Sequence, residues 1–112
     1  MTEDLAGRAC VPCRRGAPPL SREEAGRLSA RVPDWTLSRD GTRLSRRFAF
    51  RTYAEAFDLV ARISAVAEAE NHHPDIAFGW GYAEVSLTTH AIGGLHLNDV
   101  VMAAKVDRLA SG

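Results

Sequence analysis

Charge of one sign, cysteine and long apolar runs are all scarce in this chain. Its 14 Lys and Arg residues balance its 14 Asp and Glu residues, so it has no net field to attract phosphate backbones, and we do not expect a nucleic-acid partner. No uninterrupted apolar run approaches the roughly 20 residues that a membrane-spanning helix needs. Residues 1–7 include acids and lack the apolar segment of a secretory leader. We therefore expect a cytoplasmic protein that makes no membrane contact.

The length and composition predict one folded domain. A chain of 112 residues, 46% of them hydrophobic and 25% charged, can build one core but is too short for two. Residues 1–20 have no apolar periodicity and contain three prolines, so we expect an extended N-terminal arm there. The folded domain is predicted over residues 21–112.

The two cysteines, Cys10 and Cys13, form a Cys-x-x-Cys motif within this arm. Such a pair is typical of a redox site or of half a zinc site. A structural zinc usually takes four ligands, and no histidine lies nearby in the sequence, so a complete site would need a second subunit. We favour a pair of reduced thiols in a poorly ordered terminus.

Capping motifs and apolar periodicity predict the secondary structure. Ser21 and Glu24 have the spacing of a capping box at the start of a helix, Asp40-Gly41 predicts a tight hairpin turn, and Thr52 precedes the longest amphipathic stretch. The predicted elements are a helix to about residue 30, strands at 34–38 and 43–50, a helix to about 70, strands from about 76 to 80 and 83 to 89, and a helix over 98–109. This is an α+β fold of two layers, with three helices on a four-stranded antiparallel sheet in the order α-β-β-α-β-β-α.

Three of the four histidines fall at the ends of predicted elements. His72 and His73 lie where the long helix ends, and His90 lies where the fourth strand ends. A hairpin of the last two strands would bring His90 back beside the other two. Imidazole can give or take a proton near neutral pH, so the cluster indicates acid-base chemistry. Glu68, one turn before His72, and Asp99, after a glycine loop, could each hold an imidazole in one tautomer.

Each of these residues also has a purely structural interpretation. A histidine at a helix end can satisfy terminal carbonyls, and Asp99 in the first turn of the last helix can stabilise the helix dipole. His96 is most simply an exposed loop residue. Three imidazoles can also hold a catalytic zinc, but adjacent histidines at a helix end point in different directions. We favour metal-free acid-base chemistry.

The spacing of these residues resembles a family signature. Glu68-x3-His72-His73-Pro74-x5-Trp80-x9-His90-x8-Asp99 is similar to the pattern of the pterin-4a-carbinolamine dehydratases. The similarity extends over about residues 20–109 and is supported by Leu87-Thr88-Thr89-His90, by Gly94-Leu95, and by Pro33 and Trp35. Asn71 departs from the pattern, since some members have aspartate there.

The resemblance implies a reaction and a set of roles. The reaction is loss of water from the 4a-hydroxytetrahydropterin released by aromatic amino acid hydroxylases, which gives a quinonoid dihydropterin and needs no cofactor or metal. His72 and His90 would be the acid and base, in either order, and His73 would bind and polarise the pterin. The substrate-binding or orienting residues would be Glu68, Pro74, Trp80, Thr89 and Asp99, with Glu68 orienting an imidazole and Pro74 or Trp80 shaping the pocket wall.

The resemblance also implies self-association. Dimers of the family join their sheets edge to edge and tetramers form through helices, so we expect a homodimer or homotetramer, with the strand over 44–50 as the candidate open edge. Two other functions stay open. The chain could be a pterin-binding, dimerisation or regulatory module, or an enzyme acting on another pterin such as the molybdenum cofactor.

Overall fold

The computed structural model describes residues 4–12 and 16–111 and confirms the predicted order of elements. Short 3-10 turns occur at Leu5–Gly7 and His90–Ile92. The main elements are α1 (Arg22–Ser29), β1 (Thr36–Leu37), β2 (Leu44–Ala49), α2 (Tyr53–Glu70), β3 (Asp75–Gly79), β4 (Tyr82–Leu87) and α3 (Leu97–Ser111). Each helix of the described ranges is too short or too polar to span a bilayer.

The four strands form one antiparallel sheet in the order β1-β2-β4-β3. The β1-β2 and β3-β4 hairpins are joined through β2 and β4, which pair along the whole of β2. The prediction that the strand over 44–50 is an edge strand is wrong in the strand order, because β4 covers one whole side of β2, but on the other side β1 covers only Leu44 and Ser45. The longer edge strand is β3.

Alternation along the strands places the core on one face of the sheet. Leu44, Phe48, Val85 and Leu87 are buried, and α2 and α3 pack over this face. Arg46 interrupts the apolar pattern of β2, and the structure explains how it is accommodated. Its guanidinium lies 2.5 Å from the Asp107 carboxylate of α3 and 4.4 Å above the Phe48 ring, so the charge is paired where the sheet meets the helix.

Two of the predicted local motifs are present and one differs. The Ser21 hydroxyl accepts from the Glu24 amide, and the Glu24 carboxylate accepts from the Ser21 amide, which completes the capping box. The Thr52 hydroxyl caps α2 by accepting from the Glu55 amide, while the Glu55 carboxylate accepts from the Arg51 amide, so no reciprocal box forms there. The hairpin at Gly41 is not a two-residue turn, because the Ser38 amide donates to the Arg43 carbonyl at 2.8 Å and closes a loop over residues 39–42. Gly41 supplies the positive φ of 75° that this loop requires.

The N-terminal arm, defined here as residues 4–12, packs against the domain. Leu5 is buried in the hydrophobic core and Cys10 is half-buried. The expectation of a poorly ordered terminus is therefore wrong for these residues, since Leu5 is buried in the core and hydrogen bonds join the arm to α2 and α3. Cys13, the second cysteine of the motif, lies outside the described residues.

Candidate active site

The end of α2 positions the two adjacent histidines. Asn71 terminates the helix in the left-handed conformation, with φ of 53°, which asparagine tolerates better than most residues with a side chain. The His72 amide donates to the Ala67 carbonyl at 3.1 Å. The chain then turns through Pro74 directly into β3, so His72 and His73 are held between the helix end and the sheet.

The loop after β4 positions the third histidine. Thr89 and Gly94 form an isolated antiparallel bridge, and the chain between them makes the 3-10 turn that begins at His90. Gly93 ends this turn with φ of 70°, which a residue with a side chain rarely adopts. Because β3 and β4 are a hairpin, the end of β4 returns beside the start of β3, as predicted.

A fully buried carboxylate connects two of these segments to α3. Asp99 has no exposed surface, and its Oδ1 lies 2.7 Å from Nε2 of His72. Its Oδ2 accepts from the Thr89 hydroxyl at 2.7 Å and from the His96 amide at 3.0 Å. Since both oxygens have partners, the buried charge is compensated and the His72 ring is oriented.

The other two histidines also face carboxylates. His73 hydrogen-bonds through Nε2 to the exposed Glu68 carboxylate, and Nε2 of His90 lies 3.6 Å from Asp75 Oδ2 at the start of β3. Each imidazole of the cluster therefore has its own acidic neighbour. The three differ in solvent access, since the side chain of His72 is 11% exposed and that of His90 is 76% exposed.

The three rings surround one open cavity of about 490 Å³. Its volume is within the range of small-molecule sites. The lining residues are Cys10, Val11, Pro12, Glu70, Asn71, His72, His73, Thr88, Thr89, His90 and Ala91. Three separate parts of the chain thus form the walls: the arm, the end of α2 and the end of β4.

The structure brings most of the predicted site residues together. His72, His73, His90 and Thr89 line the cavity, and Asp99 and Glu68 contact the rings. Pro74 follows His73 but is not among the lining residues, contrary to the expectation that Pro74 or Trp80 shapes the wall. Glu68 contacts His73 instead of His72, because the left-handed turn at Asn71 leaves His72 facing α3.

Trp80 lies apart from this cluster. It occupies the β3-β4 turn and is 73% exposed, at the opposite end of the hairpin from His73. Pro74 and the five residues of β3 lie between the two, and β3 alone is roughly 16 Å long at about 3.3 Å per residue. Within the described chain, Trp80 does not line the cavity, contrary to the expectation that it shapes the wall.

His96 is also placed differently from the expectation. The ring is half-buried, and its Nδ1 accepts from the Asn98 amide at 3.0 Å. Its own amide donates to Asp99. His96 therefore caps α3 and is not a freely exposed loop residue.

Sequence reasoning missed several residues in or beside the cavity. Asp75 was not identified as the neighbour of His90, and Glu70 and residues 10–12 were not placed at the site. The Cys-x-x-Cys motif was the only signal in the sequence that the arm could belong to the site.

Burial raises the pKa of the Cys10 thiol to about 11, with a further contribution from the nearby Glu70 carboxylate, so the thiol is protonated at neutral pH and is a weak nucleophile.

The zinc alternative finds no support in the geometry. Within residues 4–12 and 16–111, no three His, Cys, Asp or Glu side chains are grouped closely enough to hold a metal ion. The histidines point to separate carboxylates, as expected for adjacent rings at a helix end.

A comparison with protein families decides the classification. The model for pterin 4 alpha carbinolamine dehydratase matches residues 18–109, which include all three histidines and Asp99. The chain belongs to this family. The resemblance inferred from the spacing of the site residues is thereby confirmed.

Full-length relatives agree with the assignment to the dehydratase family. A protein of Cupriavidus pinatubonensis, provisionally named pterin-4-alpha-carbinolamine dehydratase 1, is 51% identical over 112 residues, covering 100% of this chain and 97% of the relative. A protein of Halorhodospira halophila with a similar provisional name is 49% identical over 107 residues, covering 96% and 98%. The first alignment includes the N-terminal arm.

Two solved structures share the fold. A transcriptional coactivator/pterin dehydratase from Brucella melitensis is 26% identical with a TM-score of 0.77, covering 82% of this chain and 98% of that one. A pterin dehydratase-like protein described as a RuBisCO assembly factor in the alpha-carboxysome is 29% identical with a TM-score of 0.60, covering 70% and 92%. Proteins with this fold are therefore described in roles other than catalysis as well.

Proposed function

We propose that the protein dehydrates 4a-hydroxytetrahydropterin to quinonoid dihydropterin and water by histidine acid-base catalysis. The observation that carries the proposal is the convergence of His72, His73 and His90 on one cavity, each beside its own carboxylate. Binding alone does not require a matched acid and base, whereas this elimination requires both. Membership in the family supplies the substrate class.

The environments of the two reacting histidines suggest their roles. Asp99 accepts from Nε2 of His72, so the neutral ring carries its lone pair on Nδ1 and can act as the base. The His90 side chain is 76% exposed, so it can exchange protons with water, and its Nε2 lies 3.6 Å from Asp75 Oδ2, which Arg43 also approaches at 3.6 Å. We therefore assign His72 as base and His90 as acid.

The proposed step balances its protons and electrons. The C4a–O bond breaks with its electron pair on oxygen, which takes a proton from the His90 imidazolium and leaves as water. The ring-nitrogen proton passes to His72, and the electron pair of that N–H bond forms the new double bond. His73, held by Glu68, would bind and polarise the pterin, and solvent restores both protonation states.

The first experiment is a spectroscopic assay of 4a-hydroxytetrahydropterin decay, with the rate in the absence of protein subtracted. The His90→Ala and His72→Ala variants should each lose about 10²- to 10⁴-fold in kcat, the usual contribution of a positioned acid or base. Turnover by either variant equal to that of the unmodified protein would overturn its assigned role.

Two further variants separate chemistry from folding. His72→Ala removes a partner of the buried Asp99 and is expected to cost about 1–3 kcal/mol of stability. His72→Gln keeps an N–H donor for Asp99 and should recover part of that stability without recovering turnover. Glu23→Ala, an exposed change on α1 outside the cavity, should leave turnover unchanged.

The pterin-binding module is the second candidate function, and the description of the carboxysome relative as an assembly factor favours keeping it. The same assay distinguishes the two. A module would bind a pterin, measured by fluorescence titration, and would leave its decay at the rate seen without protein. An enzyme for another pterin would instead turn over that substrate and depend on the same histidines.

The proposal includes the expected partners. An aromatic amino acid hydroxylase would supply the substrate, and the reaction would take place in the cytoplasm as a step of pterin recycling.

We also propose a homodimer formed through β3, which has one strand neighbour in the described sheet. Beside this edge, Tyr53 and Phe57 are each about half exposed and lie 5.4 and 6.2 Å from the Phe78 ring. A second copy would cover both the open edge and these rings.

A further inference from the structure

The N-terminal arm is attached along α3 at several points. Leu5 is buried in the core, the Lys105 ammonium donates to the Ala6 carbonyl at 2.9 Å, and the Arg108 guanidinium donates to both Asp4 carboxylate oxygens at 2.9 Å. These contacts anchor the first half of the arm on the second half of α3. The rest of the arm therefore runs toward the cavity from a fixed point.

Hydrogen bonds to two side chains fix the end of the arm at the cavity. Asn98 is 3% exposed, and its amide pairs with the backbone of Val11 in both directions: Oδ1 accepts from the Val11 amide at 3.0 Å and Nδ2 donates to the Val11 carbonyl at 2.6 Å. The Cys10 amide donates to Glu70 Oε1 at 2.6 Å. Buried polar groups used in this way hold the backbone in one position.

The arm gives the cavity a different chemical character on one side. The histidines and Thr88, which line the other walls, have polar side chains, whereas the side chains of residues 10–12 are a thiol, an isopropyl group and a pyrrolidine ring. The thiol lies 3.9 Å from the Asn98 carbonyl and is neutral. A flat heteroaromatic ring needs polar contacts at its edge and apolar contacts on its faces, so the two sides are complementary.

We propose that residues 10–12 contact the bound pterin and form the apolar wall of the active site, held in place by Asn98 and Glu70. The inference rests on the proposed pterin chemistry and extends it to a segment outside residues 18–109, the part of the chain that the family model matches. The arm is thus a substrate-binding element of this protein as well as a structural one.

Protection of the Cys10 thiol tests the contact directly. The chain has two cysteines, so Cys13→Ser leaves Cys10 as the single thiol for maleimide labelling, followed by intact-protein mass. Oxidised biopterin, which cannot be dehydrated, is the probe. At about ten times its Kd it should slow labelling roughly tenfold, because the unoccupied fraction falls as 1/(1 + [L]/Kd). Unchanged labelling with biopterin bound would overturn the proposal.

Kinetics provide a second test that does not depend on thiol reactivity. Val11 is 55% exposed and Pro12 is exposed, so Val11→Gly with Pro12→Gly removes the wall without opening the core. We expect KM to rise about tenfold, as for loss of one apolar side-chain contact, while kcat stays within about twofold. Glu23→Ala, the exposed change on α1 outside the cavity, should leave KM unchanged. An unchanged KM in the double variant would contradict the inference.

The outcomes separate the two proposals. If biopterin binds and protects Cys10 but no pterin is dehydrated, the proposed reaction is wrong and the proposed contact of residues 10–12 with the pterin is supported. If dehydration occurs but biopterin does not protect Cys10 and the double variant has an unchanged KM, the proposed contact is wrong and the proposed reaction is supported. Absence of pterin binding in a fluorescence titration would overturn both.

Discussion

Asp99 is a buried carboxylate whose two oxygens have different hydrogen-bond partners. Oδ2 accepts from the Thr89 hydroxyl and the His96 amide, and Oδ1 faces Nε2 of His72. The first set of bonds connects the loop after β4 to the start of α3. The second orients the ring proposed as the base. One residue therefore links the local structure of the site to its proposed chemistry.

The Asp99→Asn variant tests this division. The amide oxygen should keep the two donors at the Oδ2 position, which places the amide N–H₂ against His72 Nε2. That nitrogen must then become the acceptor, so the proton moves to Nδ1 and the proposed base loses its lone pair. We expect the fold to survive and kcat to fall roughly 10²-fold, measured in the pterin-decay assay.

Asp107→Asn is the matched control. It is the same substitution on the same helix, but Asp107 contacts Arg46 and Trp35 and does not line the catalytic cavity. Its kcat should equal that of the unmodified protein. Equal losses in the two variants would show that Asp99 acts only through the stability of α3.

At the scale of elements, the caps and turns account for where helices and strands begin and end. The Ser21 hydroxyl and the Glu24 carboxylate each satisfy an amide that α1 leaves without an intrahelical partner. At the cavity, Asn71 ends α2 in the left-handed conformation that the step into β3 requires. Both features depend on residues within a few positions of each other, and each sets the direction of the helix or strand that follows.

Ser21→Ala should destabilise the protein by about 0.5–2 kcal/mol, since it removes the oxygen that caps α1. Urea unfolding followed by circular dichroism measures the loss. Ser64→Ala is the control, because Ser64 lies on the exposed side of α2 and its hydroxyl bonds back to the Val60 carbonyl of the same helix, and alanine is a better helix former. A Ser21→Ala loss no larger than that of the control would contradict the capping role.

Acidification should weaken the same cap. The Ser21 amide, donating to the Glu24 carboxylate, lowers the pKa of Glu24 below its ordinary value, with a smaller contribution from the Ser21 hydroxyl. The contribution of this ionised group to stability is therefore present above the ordinary pKa of a glutamate and is lost as the pH falls through the lowered value.

At the scale of the whole molecule, the sheet order determines which surface can associate. The β2-β4 pairing puts β2 inside the sheet and leaves β3 at the edge, beside the exposed rings of Tyr53 and Phe57. This order arises from contacts between the two hairpins, which are far apart in sequence. The proposed dimer interface therefore moves from the strand over 44–50 to β3.

Ala77→Lys tests that interface. Ala77 is the middle residue of β3 and is exposed, so antiparallel pairing of two copies centred there would bring like charges together. We expect the unmodified protein to have about twice the mass of the 12.2 kDa chain in light scattering, and the variant to have the mass of one chain. Ala30→Lys, exposed after α1, is the control and should not change the mass.

A monomeric unmodified protein would contradict the proposed dimer. A dimer that persists unchanged in Ala77→Lys would show that the copies associate through another surface.

Local patterns in the sequence were enough for the elements and for the central residues of the candidate site. Capping boxes, alternation along strands and helical periodicity depend on neighbours within a few residues, so the order α-β-β-α-β-β-α and the approach of His90 to His72 and His73 could be predicted. The family resemblance rested on the same spacings and was confirmed. The roles of the histidines remain proposals.

The remaining features depend on contacts between residues that lie far apart in the chain. The pairing of Asp75 with His90, the docking of Val11 on Asn98 and the internal position of β2 each join separate segments. Sequence periodicity does not predict which side chain will hydrogen-bond to a given carboxylate or amide, because these pairs form only when the hairpins, α3 and the arm pack together. The histidines could be identified from sequence, but their acidic partners and the apolar wall required the folded chain.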